Sequence, residues 1–259
     1  MNLSGRRALI TGATGGLGKI FAETLAELGA DVILLDRPGS NFDFQKENLE
    51  KKWGVDVQVL SCDLEIESER SEAVAAIKSS KRGLNILVNN AALVGSSDLL
   101  GWSVPFAEQS IATWRRAIEI NLTAVFDLCQ GLLPLLSQAE GANIINIASI
   151  YGSHAPDWKL YEGTKMGNPA AYGVSKSGLI QLTRWLSATV SPEIRVNAIS
   201  PGGIFRDQPS EFINRYIERT SLKRMATEDD FRGILAYLSS DLSKYTTGQV
   251  ITIDGGWGN

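Results

Sequence analysis

Two residues four positions apart could carry chemistry in this chain. Tyr172 and Lys176 stand at the start of an apolar run with helical periodicity, and residues at positions i and i+4 lie on one face of a helix. A phenol has a pKa near ~10 in water, and a cation within ~4–6 Å lowers that value toward neutrality. The spacing therefore predicts a phenol prepared for proton transfer, although such a pair taken alone is equally typical of an exposed helix surface.

A glycine-rich segment near the N-terminus predicts a phosphate-binding turn. Gly12, Gly16 and Gly18 lie between the apolar run 8–10 and a segment with helical periodicity. In such a turn the backbone N–H groups can approach a pyrophosphate at the positive end of the helix. Asp36 ends the next apolar run, about 20 residues further on, which is the context that this turn requires.

The residues around Asp36 predict which dinucleotide binds. A carboxylate at this position accepts hydrogen bonds from the adenosine ribose and repels a 2′-phosphate, so NAD is favoured. Arg37 supports the alternative, NADP, because a guanidinium can pair with a 2′-phosphate. Position 15 is glycine and offers no second cation. NAD is therefore the predicted cofactor.

Apolar runs and helical segments alternate along the whole chain. Strands are predicted at 8–10, 31–36, 55–60, 84–88, 143–149, 194–199 and 249–254. Helices are predicted after the glycine turn, at about 44–53 and 67–81, from Trp114 through Leu132, around Tyr172, and at 210–219 and 227–239. A long loop with Gly95, Gly101, Trp102 and Pro105 precedes the helix of Trp114. The alternation predicts one α/β domain over residues 1–259, a Rossmann-type doubly wound parallel sheet of about seven strands with helices on both faces.

The predicted sheet gathers several candidate residues at one edge. Ligands of such sheets bind at the carboxyl ends of the strands, near the switch in strand order. The residues that stand where predicted strands end are Gly12, Asp36, Asp63, Asn89, Ser149 and Pro201. We expect them to share one rim of the sheet.

Composition excludes several classes of function. The 259 residues are 44% hydrophobic and carry a net charge of −4 with both signs mixed, so no broad basic surface for nucleic acid or an anionic membrane is expected. The chain shows no secretion signal and no run of ~18 apolar residues, which predicts a cytoplasmic protein. Cys62, Cys129 and His154 lack metal-ligand spacing. We expect two buried, reduced thiols and no metal site.

Several motifs together resemble a known family. They are Thr11-Gly12-x-x-x-Gly16-x-Gly18, Asn89-Asn90-Ala91, Ser149, Tyr172-x-x-x-Lys176, Pro201-Gly202 and, near the end, Asp254-Gly255-Gly256-Trp257. In this order they resemble the short-chain dehydrogenase/reductase family. The resemblance implies hydride transfer between a nicotinamide cofactor and a carbonyl or secondary alcohol.

The resemblance also implies roles for single residues. Tyr172 would be the general acid/base, and Lys176 would lower its pKa and hydrogen-bond the nicotinamide ribose. Ser149 would orient the reacting oxygen. Asn121, in Glu119-Ile120-Asn121-Leu122, resembles the family's asparagine that holds a water beside the lysine.

The cofactor contacts implied by the resemblance lie in the glycine turn and at strand ends. They are Gly12, Gly16, Leu17 and Gly18 at the pyrophosphate, Asp36, Asp63 and Leu64 at the adenosine, the backbone of Asn89 and Ala91 at its ribose, and Tyr172, Lys176, Pro201, Gly202 and Ile204 toward the nicotinamide. The resemblance further implies self-association as a homotetramer or homodimer. The helices around Asn121 and Tyr172 would form one interface and the last strand another.

The substrate is predicted from the stretch between Ser149 and Tyr172. The loop 153–168 is longer than in most family members and carries charged and aromatic residues, which favours a hydroxyl-rich or anionic substrate; an exposed loop without ligand contact is the alternative. Arg206 either meets a phosphate or is a solvated surface residue.

Two blocks, 100–106 and 151–164, resemble a bacterial branch linked to flagellin and surface-sugar modification, which implies a sugar-like or sugar-phosphate substrate. Reduction of a 3-oxoacyl thioester, usually with NADPH, is the alternative. A non-catalytic NAD-binding sensor or scaffold is a third hypothesis, and the intact Ser149, Tyr172 and Lys176 argue against it.

Overall fold

A single parallel sheet of seven strands organises the computed structural model, which describes residues 1–94 and 99–259. The strand order is β3-β2-β1-β4-β5-β6-β7. The strands are β1 (Arg7–Thr11), β2 (Asp31–Asp36), β3 (Val57–Ser61), β4 (Ile86–Asn89), β5 (Asn143–Ile147), β6 (Arg195–Pro201) and β7 (Val250–Ile253). The order reverses between β1 and β4, which places the expected ligand crevice there. Gly95 of the predicted loop lies outside the described residues.

Helices cover both faces of the sheet. They are α1 (Gly16–Glu27), α2 (Asp43–Trp53), α3 (Glu67–Ser79), α4 (Ile111–Ile118), α5 (Ala124–Leu136), α6 (Ala170–Val190), α7 (Ser210–Arg219) and α8 (Arg232–Ser239). Short 3₁₀ turns occur at Ile150–Gly152, Trp158–Tyr161 and Glu228–Phe231, among others.

Alternate residues of the central strand supply two cores. Ala8 and Ile10 of β1 belong to a cluster with Phe21 of α1 and Leu235 of α8. Leu9 belongs to the cluster on the opposite face, which α3, α5 and α6 cover. Because both faces of the sheet are buried, its strands are almost continuously apolar. The predicted doubly wound fold is confirmed.

Element boundaries differ from prediction where packing rather than periodicity decides. The predicted long helix contains a π-helical stretch, Glu119–Thr123, between α4 and α5. The predicted helix 227–239 begins as a 3₁₀ turn, so α8 starts only at Arg232. β5 ends at Ile147, which leaves Ser149 in the following segment. The predicted buried thiols, Cys62 and Cys129, are confirmed.

One helical stretch, Ile111–Leu136, is long and apolar enough to cross a membrane by length and composition alone. Its residues Val125, Leu128 and Leu132 pack against the sheet in the second core cluster. This packing is typical of the core helix of a globular domain.

Candidate functional site

The turn between β1 and α1 requires glycine for close backbone approach. Gly12 has a φ of +63°, and a Cβ atom there would lie 2.9 Å from the Cα atom of Ala91. A Cβ atom on Gly18 would lie 2.0 Å from the carbonyl oxygen of Gly12. Gly15, the residue before α1, provides no side-chain cap. The first N–H groups of α1 therefore remain available to an anion.

The Asn90 side chain joins the ends of β1 and β4. Its Nδ2 atom donates hydrogen bonds to the carbonyl oxygens of Thr11 (2.9 Å) and Gly12 (3.1 Å). The hydroxyl of Thr11 in turn accepts from the backbone N–H groups of Asn90 and Ala91, each at 3.0 Å. These bonds hold the glycine turn against the segment that follows β4.

Asp36 is held at the end of β2 by the same turn. Its Oδ2 atom accepts hydrogen bonds from the backbone N–H (2.8 Å) and the hydroxyl (2.7 Å) of Thr14. Its Oδ1 atom accepts one from the backbone N–H of Arg37 (2.8 Å). The carboxylate thus has a defined position beside the turn, and the exposed Arg37 stands next to it.

Ser149, Tyr172 and Lys176 meet in one part of the site. Tyr172 and Lys176 lie one turn apart in α6, as predicted. Lys176 is only 3% exposed, and its Nζ atom donates a hydrogen bond of 2.7 Å to the carbonyl oxygen of Ile147. The same atom lies 5.9 Å from the centre of the Tyr172 ring.

The pKa of the Tyr172 phenol is raised, whereas the nearby cation was predicted to lower it. Burial is the main cause, and a hydrogen bond with Ser149 acts in the opposite direction. Burial also lowers the pKa of Lys176 to about 8, because an ammonium ion is poorly solvated in the interior. Desolvation therefore outweighs the hydrogen bond with Ser149, and the lowering of this pKa by Lys176 stays a prediction.

We expect the buried ammonium to make stability depend on pH between about 8 and 10.5. There the unfolded chain keeps the lysine proton, with a pKa of 10.5, whereas the folded chain, with a pKa of about 8, releases it. Because the unfolded state binds more protons, the free energy of unfolding rises with pH, by about 1.4 kcal/mol per pH unit. Denaturant unfolding of the wild type and Lys176→Met across this range tests the effect. A constant difference between the two proteins would contradict it.

Asn121 lies in the π-helical stretch and is fully buried. Its Oδ1 atom accepts a hydrogen bond from the backbone N–H of Leu93 (2.6 Å). Its Nδ2 atom donates to the carbonyl oxygen of Leu93 (3.2 Å) and to the hydroxyl of Ser175 (3.0 Å). Asn121 therefore joins the segment after β4 to α6, beside Lys176. Its part in a proton relay stays a prediction.

A buried arginine supports this stretch. Arg70 is 2% exposed and pairs with Glu119 (2.8 Å) and Asp127 (2.6 Å). It also donates to the carbonyl oxygen of Leu64 (2.7 Å). A buried guanidinium is stable only with its donors paired. Arg70 therefore ties the segment after β3 to the helix that carries Asn121.

One cavity of about 1200 Å³ contains almost all of the predicted site. The predicted residues that line it are Gly12, Gly16, Leu17, Gly18, Asp36, Asp63, Leu64, Ala91, Ser149, Tyr172, Lys176, Pro201, Gly202 and Ile204. Asn89 and Asn121 are not part of the lining. The Asn89 side chain donates to Oδ1 of Asn146 (2.8 Å) in the interior, and its neighbour Asn90 lines the cavity instead.

Neutral side chains form the cavity wall next to Ser149, Tyr172 and Lys176. They are Tyr151, Tyr161, Met166, Asn168, Phe212, Tyr216 and Met225. The hydroxyls of Tyr151 and Tyr161 are 2.7 Å apart. Behind this wall the fully buried Trp257 stacks on Tyr216, with ring centres 6.0 Å apart. The wall therefore presents ring faces together with a few hydroxyl and amide groups.

The charged residues of the 153–168 loop do not line this cavity. The loop contributes Tyr161, Met166, Gly167 and Asn168 to the lining. Asp157 instead pairs with Arg219 on α7. Lys159, Lys165 and His154 are not among the lining residues. The loop does reach the cavity, but the structure places no loop charge there.

An apolar hollow of about 670 Å³ adjoins the cavity. Tyr151, Tyr161 and residues 166–169 line both spaces. The other lining residues of the hollow include Val104, Pro105, Phe106, Trp158 and Val174. The cavity thus continues into a second, apolar space beside α6.

Sequence analysis missed several lining residues. Asn90 belongs to the motif Asn89-Asn90-Ala91, so its signal was present. Phe212 and Tyr216 lie four residues apart in α7 and share one helix face. That spacing indicates a buried face, but no local pattern places α7 over the cavity.

Comparison with known proteins identifies relatives along the whole chain. A family model described as enoyl-(acyl carrier protein) reductase matches residues 12–258. The 3-oxoacyl-[acyl-carrier-protein] reductase FabG of Aquifex aeolicus is 30% identical, over 99% of this chain and 98% of the relative. The post-translational flagellin modification protein A of Campylobacter coli is 29% identical, over 99% of each.

Solved structures share the fold. A short chain dehydrogenase from Leptospira borgpetersenii with bound NAD+ superposes with a TM-score of 0.85 at 30% identity, covering 100% of this chain and 94% of the other. A Pseudomonas aeruginosa RhlG/NADP active-site complex superposes with a TM-score of 0.85 at 29% identity, covering 100% and 98%. Similar structures thus bind either dinucleotide.

Proposed function

Since the chain belongs to the short-chain dehydrogenase/reductase family, we propose that it transfers hydride between a nicotinamide cofactor and a carbonyl or secondary alcohol. One observation carries the proposal: Ser149, Tyr172 and Lys176 line the same cavity as the glycine turn and Asp36. The turn fits a dinucleotide, because its glycines line the cavity and the N-terminus of α1 has neither a side-chain cap nor an acidic residue in its first turn.

The chain's own residues position and protonate the substrate. When bound, the nicotinamide supplies or accepts the hydride. The Tyr172 hydroxyl exchanges a proton with the reacting oxygen, and the Ser149 hydroxyl holds that oxygen by a hydrogen bond. Lys176, buried beside them, keeps a positive charge below pH 8, its approximate pKa. That charge favours an anionic oxygen as it develops.

We expect Asp36 to make the protein prefer NAD. Its fixed carboxylate stands where a 2′-phosphate would be repelled, and a ligand at 100 times its dissociation constant stabilises a fold by about 2.7 kcal/mol. At equal concentrations NAD should therefore raise the melting temperature more than NADP. The Asp36→Asn variant keeps an acceptor for Thr14 but loses the negative charge. The difference between the melting shifts with NAD and with NADP should therefore become smaller.

Arg37 provides the control for cofactor choice. Arg37 is exposed and follows Asp36 directly. If the 2′-phosphate of NADP reaches the guanidinium, Arg37→Gln should weaken the binding of NADP and leave the binding of NAD unchanged. A larger melting shift with NADP than with NAD in the wild type would refute the role given to Asp36.

The substrate we propose is polar and sugar-like. The wall of ring faces, hydroxyls and the Asn168 amide suits a hydroxylated ring, and the flagellin modification relative is consistent with it. The arginines that line the cavity, Arg37, Arg116 and Arg206, are not part of this wall. A neutral sugar is therefore favoured over a sugar phosphate.

A 3-oxoacyl thioester is the second candidate. The apolar hollow beside the cavity offers space for an acyl chain or a pantetheine arm. The FabG relative from Aquifex aeolicus is consistent with this substrate class.

A panel of substrates tests the proposal. Neutral sugars and polyols, sugar phosphates, nucleotide sugars and 3-oxoacyl thioesters would be followed by the absorbance of the reduced cofactor, with NAD(H) and NADP(H) in parallel. We expect turnover with a neutral hydroxylated substrate. Turnover only with thioesters would favour the second candidate, and cofactor binding without turnover of any class would favour a sensor or scaffold.

Self-association is a further part of the proposal. Val174 and Trp185 on α6 and Phe126 on α5 are exposed apolar residues, and β7 is an edge strand of the sheet. These surfaces are where the predicted tetramer or dimer interfaces would form. Light scattering in solution measures the oligomeric state. A cytoplasmic location likewise remains a proposal.

A further inference from the structure

An ion pair lies directly over the first turn of α1. Nη2 of Arg206 is 2.9 Å from Oε1 of Glu228. A Cβ atom built on Gly16 would lie 2.7 Å from that Nη2 and 2.6 Å from that Oε1. Arg206 also lines the cavity and is 50% exposed. The pair therefore covers the turn while the guanidinium remains within reach of a ligand.

The backbones that carry the pair are joined to each other. The N–H of Phe205 donates to the carbonyl oxygen of Ala226 (2.9 Å), and the N–H of Ala226 donates to the carbonyl oxygen of Gly203 (3.0 Å). The Arg206 N–H donates to the side-chain oxygen of Gln208 (2.8 Å). Glu228 begins the 3₁₀ turn that leads into α8. These hydrogen bonds fix the two segments relative to each other, and the segments place the charged groups of Arg206 and Glu228 over Gly16.

The charges are arranged for an anion. α1 has no acidic residue in its first turn and no side-chain cap, so its positive end is not neutralised from within the helix. A guanidinium above that end is unfavourable by itself, because cations are disfavoured at helix N-termini. Glu228 supplies the negative charge that balances the Arg206 guanidinium and the positive end of α1. An anion bound at the turn would supply the same charge and meet the same partners.

We propose that Arg206 binds the pyrophosphate of the dinucleotide, and that Glu228 competes for Arg206 with the ligand. This inference rests on the proposed function, since the ligand is the cofactor proposed above. Arg206 exchanges a carboxylate for a phosphate oxygen as the cofactor enters, and it stays over the turn. Cofactor affinity is then set in part by the strength of one exposed ion pair.

Calorimetric titration with NAD and with ADP-ribose tests the proposal, since both ligands carry the pyrophosphate and only NAD carries nicotinamide. Arg206→Gln should weaken both ligands by the same factor, about 10–100-fold for a lost charged hydrogen bond. Glu228→Gln should tighten both by about two- to fivefold, because an exposed ion pair is weak. Arg224→Gln, which breaks the neighbouring exposed pair with Asp230, is the matched control and should change neither.

Each of the other outcomes contradicts one part of the proposal. Unchanged binding of both ligands by Arg206→Gln would overturn the contact with the pyrophosphate. Loss of NAD affinity alone would place Arg206 at the nicotinamide end instead. Weaker binding by Glu228→Gln would show that Glu228 supports the site and does not compete. If the wild type binds neither ligand, the proposed function fails and this inference fails with it. Melting curves without ligand show whether each variant is folded.

Discussion

The Tyr172→Phe variant should lose turnover by about 10²–10⁴-fold, the range that general acid–base catalysis contributes. The substitution removes the hydroxyl that exchanges a proton with the substrate oxygen, while the ring that packs beside Lys176 remains. Since the hydroxyl is not needed to hold the dinucleotide, NAD should still raise the melting temperature. Steady-state kinetics and melting curves on the same sample separate the two effects.

Tyr151→Phe is the matched control for that experiment. Tyr151 lines the same cavity, and its hydroxyl pairs with that of Tyr161. Because this hydroxyl is bonded to Tyr161, whereas that of Tyr172 is bonded to Ser149, we do not expect Tyr151 to exchange a proton with the reacting oxygen. We expect a changed KM with little loss of kcat. If Tyr172→Phe retained wild-type turnover, Tyr172 would not be the acid/base.

The second large effect is expected from Gly18→Ala, which should abolish dinucleotide binding and destabilise the fold. The new Cβ atom would lie 2.0 Å from the carbonyl oxygen of Gly12 and 2.8 Å from the Cα atom of Ala13. Both contacts are with backbone, so relief requires movement of the turn itself. Overpacking of this kind costs about 1–3 kcal/mol or more. Denaturant unfolding and titration with NAD measure the two losses.

Gly233→Ala is its control. Gly233 lies in α8 with open space around the added atom, so alanine should stabilise the helix by up to about 1 kcal/mol and leave NAD binding unchanged. Wild-type NAD affinity in Gly18→Ala would show that the close contact between Gly18 and Gly12 is dispensable.

Local patterns determined most of the architecture. Continuous apolar runs predicted the buried strands, and the i to i+4 spacing placed Tyr172 and Lys176 together in α6. The glycine turn and Asp36 were found because a phosphate-binding turn needs particular residues at short, fixed distances along the chain. These features depend on residues that are close along the chain, within a few helical turns or one strand–helix–strand unit. A single sequence is therefore enough to predict them.

Other features of the site depend on side-chain direction, which a single sequence does not show. The Asn89 side chain bonds Asn146 in the interior, whereas Asn90 lines the cavity, and the backbone contact of Asn89 with the ribose stays a prediction. The strand end alone could not tell which of two adjacent asparagines faces the ligand. The phenol pKa likewise depended on burial, which is a property of the assembled packing.

By itself, then, the sequence determined a doubly wound α/β fold, the phosphate-binding turn, and the identity of the residues that could move a proton. Only the tertiary structure decided that α7 and the 153–168 loop present neutral aromatic faces to the cavity, that Asn121 is held in a π-helical stretch, and that Arg206 and Glu228 meet over Gly16. The reason is physical. These contacts join segments far apart in the chain, and their geometry exists only once the sheet brings the segments together.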